Sequence, residues 1–308
     1  MEPNKEKNFV SAVVYCCNDA KTIGVFIENL DKTLADNFYK YEIIVVNDAS
    51  TDESVNIIRR YASHKEGKVI SVLNMSHTQG LEASMNAGVD LAIGDFVYEF
   101  DSVCADFEWS VLMKVYRQSL KGFDIVSACV DRPIRMSSKL FYAIFNRYAN
   151  LQYRLETETF RILSRRAINR IHSLTQNIPY RKAAYANCGL AITSVKYKLV
   201  NKVSRKKQEG RASLAINSLI LYTDIAYRVT LTFAFIMALT AVCVGVYALT
   251  YKLMENPVEG WATTIIFLAF GFFGLFAIMA MVIKYLQTLV QLVFKKKDYL
   301  FESIEKLQ

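Results

Sequence analysis

Apolar runs bounded by turn residues recur along the first half of the chain, at Phe9–Tyr15, Glu42–Val46, Val69–Leu73, Phe96–Phe100 and Asp124–Ser127. Between them apolar positions fall at helical spacing, as over Glu53–Ala62, Leu81–Ala92 and Glu108–Leu120. Strand and helix patterns that alternate in this way predict an α/β fold, with a mostly parallel sheet covered by helices on both faces. Ligands of such sheets bind at the carboxyl ends of the strands, so the residues just after each strand carry the chemical interest. From about Pro133 to Arg211 the pattern is less regular and rich in Arg, Lys, Tyr and Asn. It is expected to complete the same domain.

The pattern then changes character. Val229 to Tyr251 is 23 residues without a charge (251 − 229 + 1), and Gly260 to Ile283 is 24 more (283 − 260 + 1). Neither contains proline. About 20 apolar residues span a bilayer core, so two transmembrane helices are predicted, joined as a hairpin by Lys252–Glu259. Lys202, Arg205, Lys206, Lys207, Arg211 and Arg228 precede the first helix, and Lys284, Lys295, Lys296 and Lys297 follow the second. The connector has Lys252 beside Glu255 and Glu259. This asymmetry puts both termini and the α/β domain in the cytosol, in a cell-membrane protein with two spans. The expected division is a domain over 1–212, a juxtamembrane amphipathic segment over 213–228, a hairpin over 229–286 and a cytosolic tail over 287–308.

Composition adds two constraints. A net charge of +8 suits phosphorylated small molecules, anionic headgroups or nucleic acid, but no basic run exceeds Lys295-Lys296-Lys297. The charge alone does not select nucleic acid, and none is expected as a partner. The six cysteines include no C-x-x-C pair, and the three histidines are far apart, so a structural zinc site is not expected. They are read as reduced thiols serving as small hydrophobes.

Neither a G-x-G-x-x-G nor a G-x-x-x-x-G-K-[ST] loop is present, so a phosphate cradle must be built another way. The second strand pattern ends in Val45-Val46-Asn47-Asp48-Ala49-Ser50-Thr51-Asp52. Ser50 or Thr51 fits a helix cap, and Asp48 fits a carboxylate that accepts hydrogen bonds from a base or ribose; both roles are compatible. The fourth ends in Glu99-Phe100-Asp101-Ser102. Strand alternation sets Glu99 and Asp101 on one face, where two carboxylates hold a divalent ion or are simply solvated strand-end acids.

Taken together, these residues resemble the GT-A fold of family 2 glycosyltransferases. Tyr15-Cys16-Cys17-Asn18-Asp19 stands where that family has P-V-Y-N-E. Val46 to Asp52 matches V-D-D-G-S-T-D. Gln79-Gly80 through Ala83, then Asn86-Ala87-Gly88 and Gly94-Asp95, follow G-x-x-x-A-x-N-x-G…G-D, and Asp101-Ser102-Val103 sits at D-x-D. The later part resembles the polyprenyl-phosphate branch. Phe160-Arg161-Ile162-Leu163-Ser164-Arg165 matches F-R-L-L-S-R, Asp224 and Arg228 match L-D-G-I…P-L-R, and Lys297-Asp298-Tyr299 stands at R-P-x-Y. Three positions depart from the pattern: Val103 at the second D-x-D aspartate, Ala105 at the following Gln, and Thr159 at the acid just before F-R.

The resemblance implies a membrane-anchored, inverting transfer of a sugar from a nucleotide-sugar to polyprenyl phosphate. Tyr15, Cys17, Asp19, Asp48, Gly80, Asp101 and Ser102 are the implied nucleotide contacts. Asp101 is the implied catalytic residue, with Glu156 and Glu158 as the acids nearest the place of a general base. A Mg²⁺ or Mn²⁺ ion is implied at Asp101, with Glu99 as a further candidate ligand. Arg132, Arg135 and Lys139 are the implied cations for the acceptor phosphate, an ordinary basic surface being the plain alternative. The expected partners are the donor, the lipid, the membrane and further copies of the chain in a homo-oligomer. Two other readings stay open: transfer to a lipid-linked saccharide, and a non-catalytic scaffold with a degenerate metal site.

Overall fold

The computed structural model describes residues 5–63, 69–131, 136–148, 153–174, 178–200, 261–294 and 299–307, with isolated helical positions between 229 and 243. The chain divides into two compact units: residues 1–146, 151–211 and 296–308 form the first, and 147–150 with 212–295 the second.

The first unit is built on eight strands: β1 (Val10–Cys16), β2 (Tyr41–Asn47), β3 (Val69–Met75), β4 (Phe96–Phe100), β5 (Ile125–Val130), β6 (Glu158–Ser164), β7 (Ile192–Tyr197) and β8 (Phe301–Leu307). They lie in the order β7-β5-β6-β4-β1-β2-β3-β8. The pairs β1–β2, β1–β4, β2–β3 and β5–β7 are parallel, whereas β4–β6, β5–β6 and β3–β8 are antiparallel. The sheet is therefore mixed, and less uniformly parallel than the alternating pattern predicts. β6, β7 and β8 lie in segments where the pattern predicts no strand; β6 pairs antiparallel with β4 and β5, β7 parallel with β5, and β8 antiparallel with β3.

Every residue of β1 is buried, as a central strand covered on both faces requires. One face carries α1 (Ile23–Asn37), α2 (Ser54–Ser63) and α4 (Ser110–Ser119), around Phe26, Leu30, Leu34, Leu112 and Tyr116. The other carries α3 (Leu81–Leu91) and α6 (Arg165–Leu174), around Met85, Val89, Ile168 and Ile171. Gly88 sets how near α3 lies to the sheet: a Cβ there would fall 2.4 Å from Val13 Cγ1 and 2.5 Å from Val46 Cγ2. Two further helices, α5 (Met136–Tyr148) and α7 (Arg181–Ala186), flank β6 in sequence.

In the second unit α8 (Trp261–Phe294) is a helix of 34 residues, with Phe270, Phe272, Phe273 and Leu275 exposed. Gly274 meets Met237, whose side chain would lie 2.9 Å from a Cβ there. Among the described residues no helix is long and apolar enough to cross a membrane, several side chains of α8 lying outside that set. The first expected span, 229–251, falls largely outside the described residues. The expected tail at 287–308 is divided: helix continues to Phe294, and Phe301–Leu307 forms a strand on the first unit's sheet. Its alternation of Phe301, Ser303, Glu305 and Leu307 with Glu302, Ile304 and Lys306 is too short and too charged to read as a strand from sequence.

Candidate active site

Two carboxylates stand at the carboxyl edge of the sheet, one just past β2 and one just past β4. β1 lies between those strands, so their ends are separated by two strand spacings, about 10 Å. The backbone there is unusual. Asn18 (φ 54°) and Ala49 (φ 51°) both adopt the left-handed conformation in the loops that follow β1 and β2. For alanine this costs roughly 1–2 kcal/mol, and it occurs where the family pattern has glycine. The two loops are tied together: Thr51 N donates to Asn18 Oδ1 at 2.7 Å, and Asn18 N to Ser50 Oγ at 3.0 Å.

Asp48 is fully buried. The Tyr15 hydroxyl donates to its Oδ2 at 2.8 Å, Gly80 N donates to the same oxygen at 2.9 Å, and Gln79 N donates to Oδ1 at 2.7 Å. Burial, then the neighbouring Asp48 charge, pushes the Tyr15 hydroxyl pKa well above its ordinary value, so Tyr15 stays a donor. Gly80, at φ 87°, precedes α3 in a conformation that suits glycine. Tyr15, Asp48 and Gly80, three of the expected nucleotide contacts, are thus one constellation. Asp19 accepts from Cys17 N at 3.1 Å and belongs to the tied loops, and Ser102 Oγ accepts from Cys104 N at 3.3 Å.

Asp101 belongs to a different construction. β6 runs between β4 and β5 with Arg161 opposite Glu99 on one side and Ser127 on the other. Arg161 is 1% exposed, and its guanidinium reaches Glu99 at 2.7 Å, Asp101 at 2.9 Å and Glu158 at 3.1 Å. Arg181, equally buried at the start of α7, donates to the other Asp101 oxygen at 2.8 Å and to Glu82 at 2.9 Å. Its Nη1 lies 3.1 Å from Glu99 without the alignment of a hydrogen bond. Tyr185 donates to Glu99 at 2.6 Å, and its ring stands 5.3 Å from the Arg161 guanidinium carbon. Lys182 lies 3.4 Å from Glu158, which also accepts from Ser127. Four carboxylates (Glu82, Glu99, Asp101, Glu158) therefore meet three cations (Arg161, Arg181, Lys182).

Burial raises the Asp101 carboxyl pKa, but Arg181 and Arg161 outweigh it and hold the group below the usual carboxylate range. The same balance holds Glu158 low, with Arg161 and Lys182 as the lowering charges. Groups depressed in this way contribute stability above the ordinary carboxylate range and lose it as pH falls through their folded values. The melting temperature is therefore expected to start falling as pH drops below about 4.5 and to go on falling below the usual carboxylate range. Thermal denaturation across and below that range checks this, and a flat profile would contradict it.

This donor set does not fit the divalent ion expected at Asp101 and Glu99. Each Asp101 oxygen takes one guanidinium, and Glu99 is fully buried between Arg161 and Tyr185. Val103 packs in the apolar core at 3% exposure, and Asp106 accepts from Tyr197 at 2.7 Å. Among the described residues no group of three metal-ligating side chains exists. Glu99 and Asp101 serve as counter-ions to arginine here.

Glu156 and Glu158 line one cleft with Ser127, Cys129, Tyr153 and Lys182. Glu156 is exposed there. Burial, then Glu158, pushes the Cys129 thiol up to about 12, which keeps it protonated. All six cysteines are thiols among the described residues. Of the expected acceptor cations, Arg132 and Arg135 lie outside the described residues. Lys139 is exposed on α5, apart from the ion network. Sequence reading assigned no role to Arg161, Arg181, Lys182, Glu82 or Tyr185. Arg161 carried a signal, since it stands in the F-R run; Glu82 fills an unspecified position of the G-x-x-x-A run, and Arg181, Lys182 and Tyr185 stand in no recognised pattern.

Residues 11–189, more than half of the chain, match the family described as glycosyl transferase family 2. The chain belongs to that family. This family 2 glycosyltransferase is 27% identical over 195 residues to an uncharacterized glycosyltransferase of Synechocystis, covering 60% of this chain and 59% of that one. It thus spans about three-fifths of that relative's length. It is 24% identical over 271 residues to the bactoprenol glucosyl transferase of Shigella phage SfV, covering 85% and 87%. Among solved structures, mannosyl-3-phosphoglycerate synthase from Rubrobacter xylanophilus shares the fold, with TM-score 0.50, 19% identity and coverage of 72% and 74%. A Pyrobaculum calidifontis mannosyltransferase solved with GDP-Man and Mn²⁺ has TM-score 0.47, 17% identity and coverage of 92% and 88%.

Proposed function

We propose that this glycosyltransferase moves a sugar, with inversion, from a nucleotide-sugar to a polyprenyl phosphate at a membrane surface. The observation that carries the reading is the placement of Asp48 and Asp101 past β2 and β4 on either side of β1. The separation suits a ligand with its base near the Asp48 loop and its diphosphate towards Asp101. The Shigella phage relative named for bactoprenol supports a lipid acceptor.

The chemistry follows from charge. An oxygen of the acceptor phosphate attacks the anomeric carbon, and the bond from that carbon to the donor's distal phosphate oxygen breaks. The nucleoside diphosphate leaves with the electron pair. A phosphate, with a second pKa of about 6, arrives as an anion and requires no general base. Glu158, held ionised by Arg161 and Lys182, then serves to fix those cations. What the step requires is positive charge against the repulsion of two phosphates. Arg132, Arg135 and Lys139 supply it in this reading, with arginine suited to bidentate contact. The uncharged stretches at 229–251 and 260–283 and the exposed phenylalanines of α8 support the membrane location.

The test uses the purified full chain in detergent with radiolabelled nucleotide-sugars, offered polyprenyl phosphate, polyprenol or a lipid-linked saccharide. Arg132→Ala or Arg135→Ala is expected to raise the KM for polyprenyl phosphate and leave the donor's KM nearly unchanged. A better rate with polyprenol or the saccharide would overturn the charge reading. One observation favours a second reading, a fold kept without transfer: Val103 fills with apolar side chain the place where the family has an acid. Absence of transfer with every donor and acceptor would support it.

A further inference from the structure

The C-terminal strand does more than cover the edge of β3. Just before β8, the backbone of Leu300 is held on both sides by the loop that follows β3. Leu300 N donates to Gln79 Oε1 at 2.8 Å, and Leu300 O accepts from Gln79 Nε2. The same carbonyl accepts from Ser76 N at 3.1 Å and from Ser76 Oγ at 3.2 Å. One residue earlier, the Tyr299 hydroxyl donates to Asp90 on α3, and Asp90 also pairs with His172 at 2.9 Å. Further along β8, Glu305 takes both a bidentate contact from Arg59 on α2 and a hydrogen bond from Asn74 at 2.7 Å.

Gln79 is the link between that clamp and the site. Its side chain binds Leu300, and its backbone N–H, with that of Gly80, binds both oxygens of Asp48. Ser76, His77 and Thr78 of that loop are exposed. Gly80 sits at φ 87°, a conformation without a side chain to anchor, and a Cβ there would meet nothing within 4 Å. A largely exposed loop whose two amides hold a buried carboxylate takes part of its position from what its other groups bind.

We propose that Tyr299 and Leu300 position the Asp48 carboxylate through Gln79, so that the segment after α8 sets the affinity for the donor nucleotide. Gln79 is a positioning residue in this scheme, because its side chain is engaged with the Leu300 backbone and its own amide holds Asp48. The proposal rests on the nucleotide-sugar reading for its consequence, while the clamp itself is testable without it.

The experiment uses the full chain and three variants: Gln79→Ala, Gln79→Glu and Tyr299→Phe. Gln79→Ala keeps the amide that binds Asp48 and removes only the bonds to Leu300. Hydrogen–deuterium exchange is followed at residues 76–80 and at β1 and β2, and calorimetry measures binding of UDP and of GDP. With two hydrogen bonds lost, exchange at 76–80 and the nucleotide Kd are each expected to rise about tenfold, with β1 and β2 unchanged. Gln79→Glu, which keeps the acceptor for Leu300 N, should recover part of the loss, and Tyr299→Phe should move both readouts less. In turnover the donor KM rises while kcat at saturation moves little. Unchanged exchange at 76–80, or faster exchange spread equally through β1 and β2, would overturn the proposal. So would faster loop exchange with unaltered nucleotide affinity. If exchange rises at 76–80 and wild type binds neither nucleotide, the clamp stands and the donor reading falls.

Discussion

Replacing Arg161 with methionine is expected to destabilise the first unit by about 3–5 kcal/mol, because it strands carboxylates that have left water. Arg161 is the shared partner of Glu99, Asp101 and Glu158, and it is 1% exposed. Its attraction to each acid offsets the desolvation of both, and removing it leaves three acids facing Arg181 and Lys182 alone. For a unit of this size the loss corresponds to a fall in melting temperature of roughly 6–20 °C. The fall should shrink as pH is lowered, since protonation of the stranded acids relieves the repulsion. Thermal denaturation of the variant at two pH values measures both. A change of less than about 1 kcal/mol would place these ion pairs in the class of weak surface pairs.

Asp101→Asn is expected to lower kcat/KM by about a hundredfold or more while the chain stays folded. The amide matches the carboxylate in shape but not in hydrogen-bonding sense. One of its ends accepts from one guanidinium as before, and the other presents N–H groups to the second. Arg161 and Arg181 converge on Asp101 at 2.9 and 2.8 Å, so the mismatch disturbs both at the edge where the diphosphate is proposed to lie. Steady-state kinetics with a melting curve on the same sample separates this from unfolding. Because guanidinium groups fill the Asp101 oxygens, wild-type transfer is also expected to persist in excess chelator. Full activity of Asp101→Asn would remove Asp101 from the machinery, whatever the chelator result.

The central strands and the Asp48 loop were legible in the sequence for definite reasons. β1 to β5 are short apolar runs closed by turn residues, and burial on both faces leaves little room for ambiguity. Asp48, Gly80 and Gly88 follow from the needs of a tight loop, a helix start and a close helix–sheet contact, each of which restricts the residue type locally. The ion network was not legible. Arg161 and Glu99 are 62 positions apart, and Arg181 and Asp101 80 apart. Only the insertion of β6 between β4 and β5 brings them together, and nothing local marks an antiparallel strand entering a parallel sheet. β8 escaped for the same reason: its partner β3 lies more than 200 residues away. The D-x-D triplet misled in a particular way. Glu99 and Asp101 do share a face, as alternation requires, but that face is lined by arginine.

The most direct test is the lipid product itself. Purified full chain, a nucleotide-sugar and polyprenyl phosphate are incubated in detergent, and the extracted lipid is examined by mass spectrometry. The expected product has the mass of polyprenyl phosphate plus one sugar residue, accumulates with released nucleoside diphosphate, and forms at about a hundredth of the rate or less when Asp101→Asn replaces wild type. Released nucleoside diphosphate with only free sugar, or mass added solely to a lipid-linked saccharide, would contradict transfer to polyprenyl phosphate.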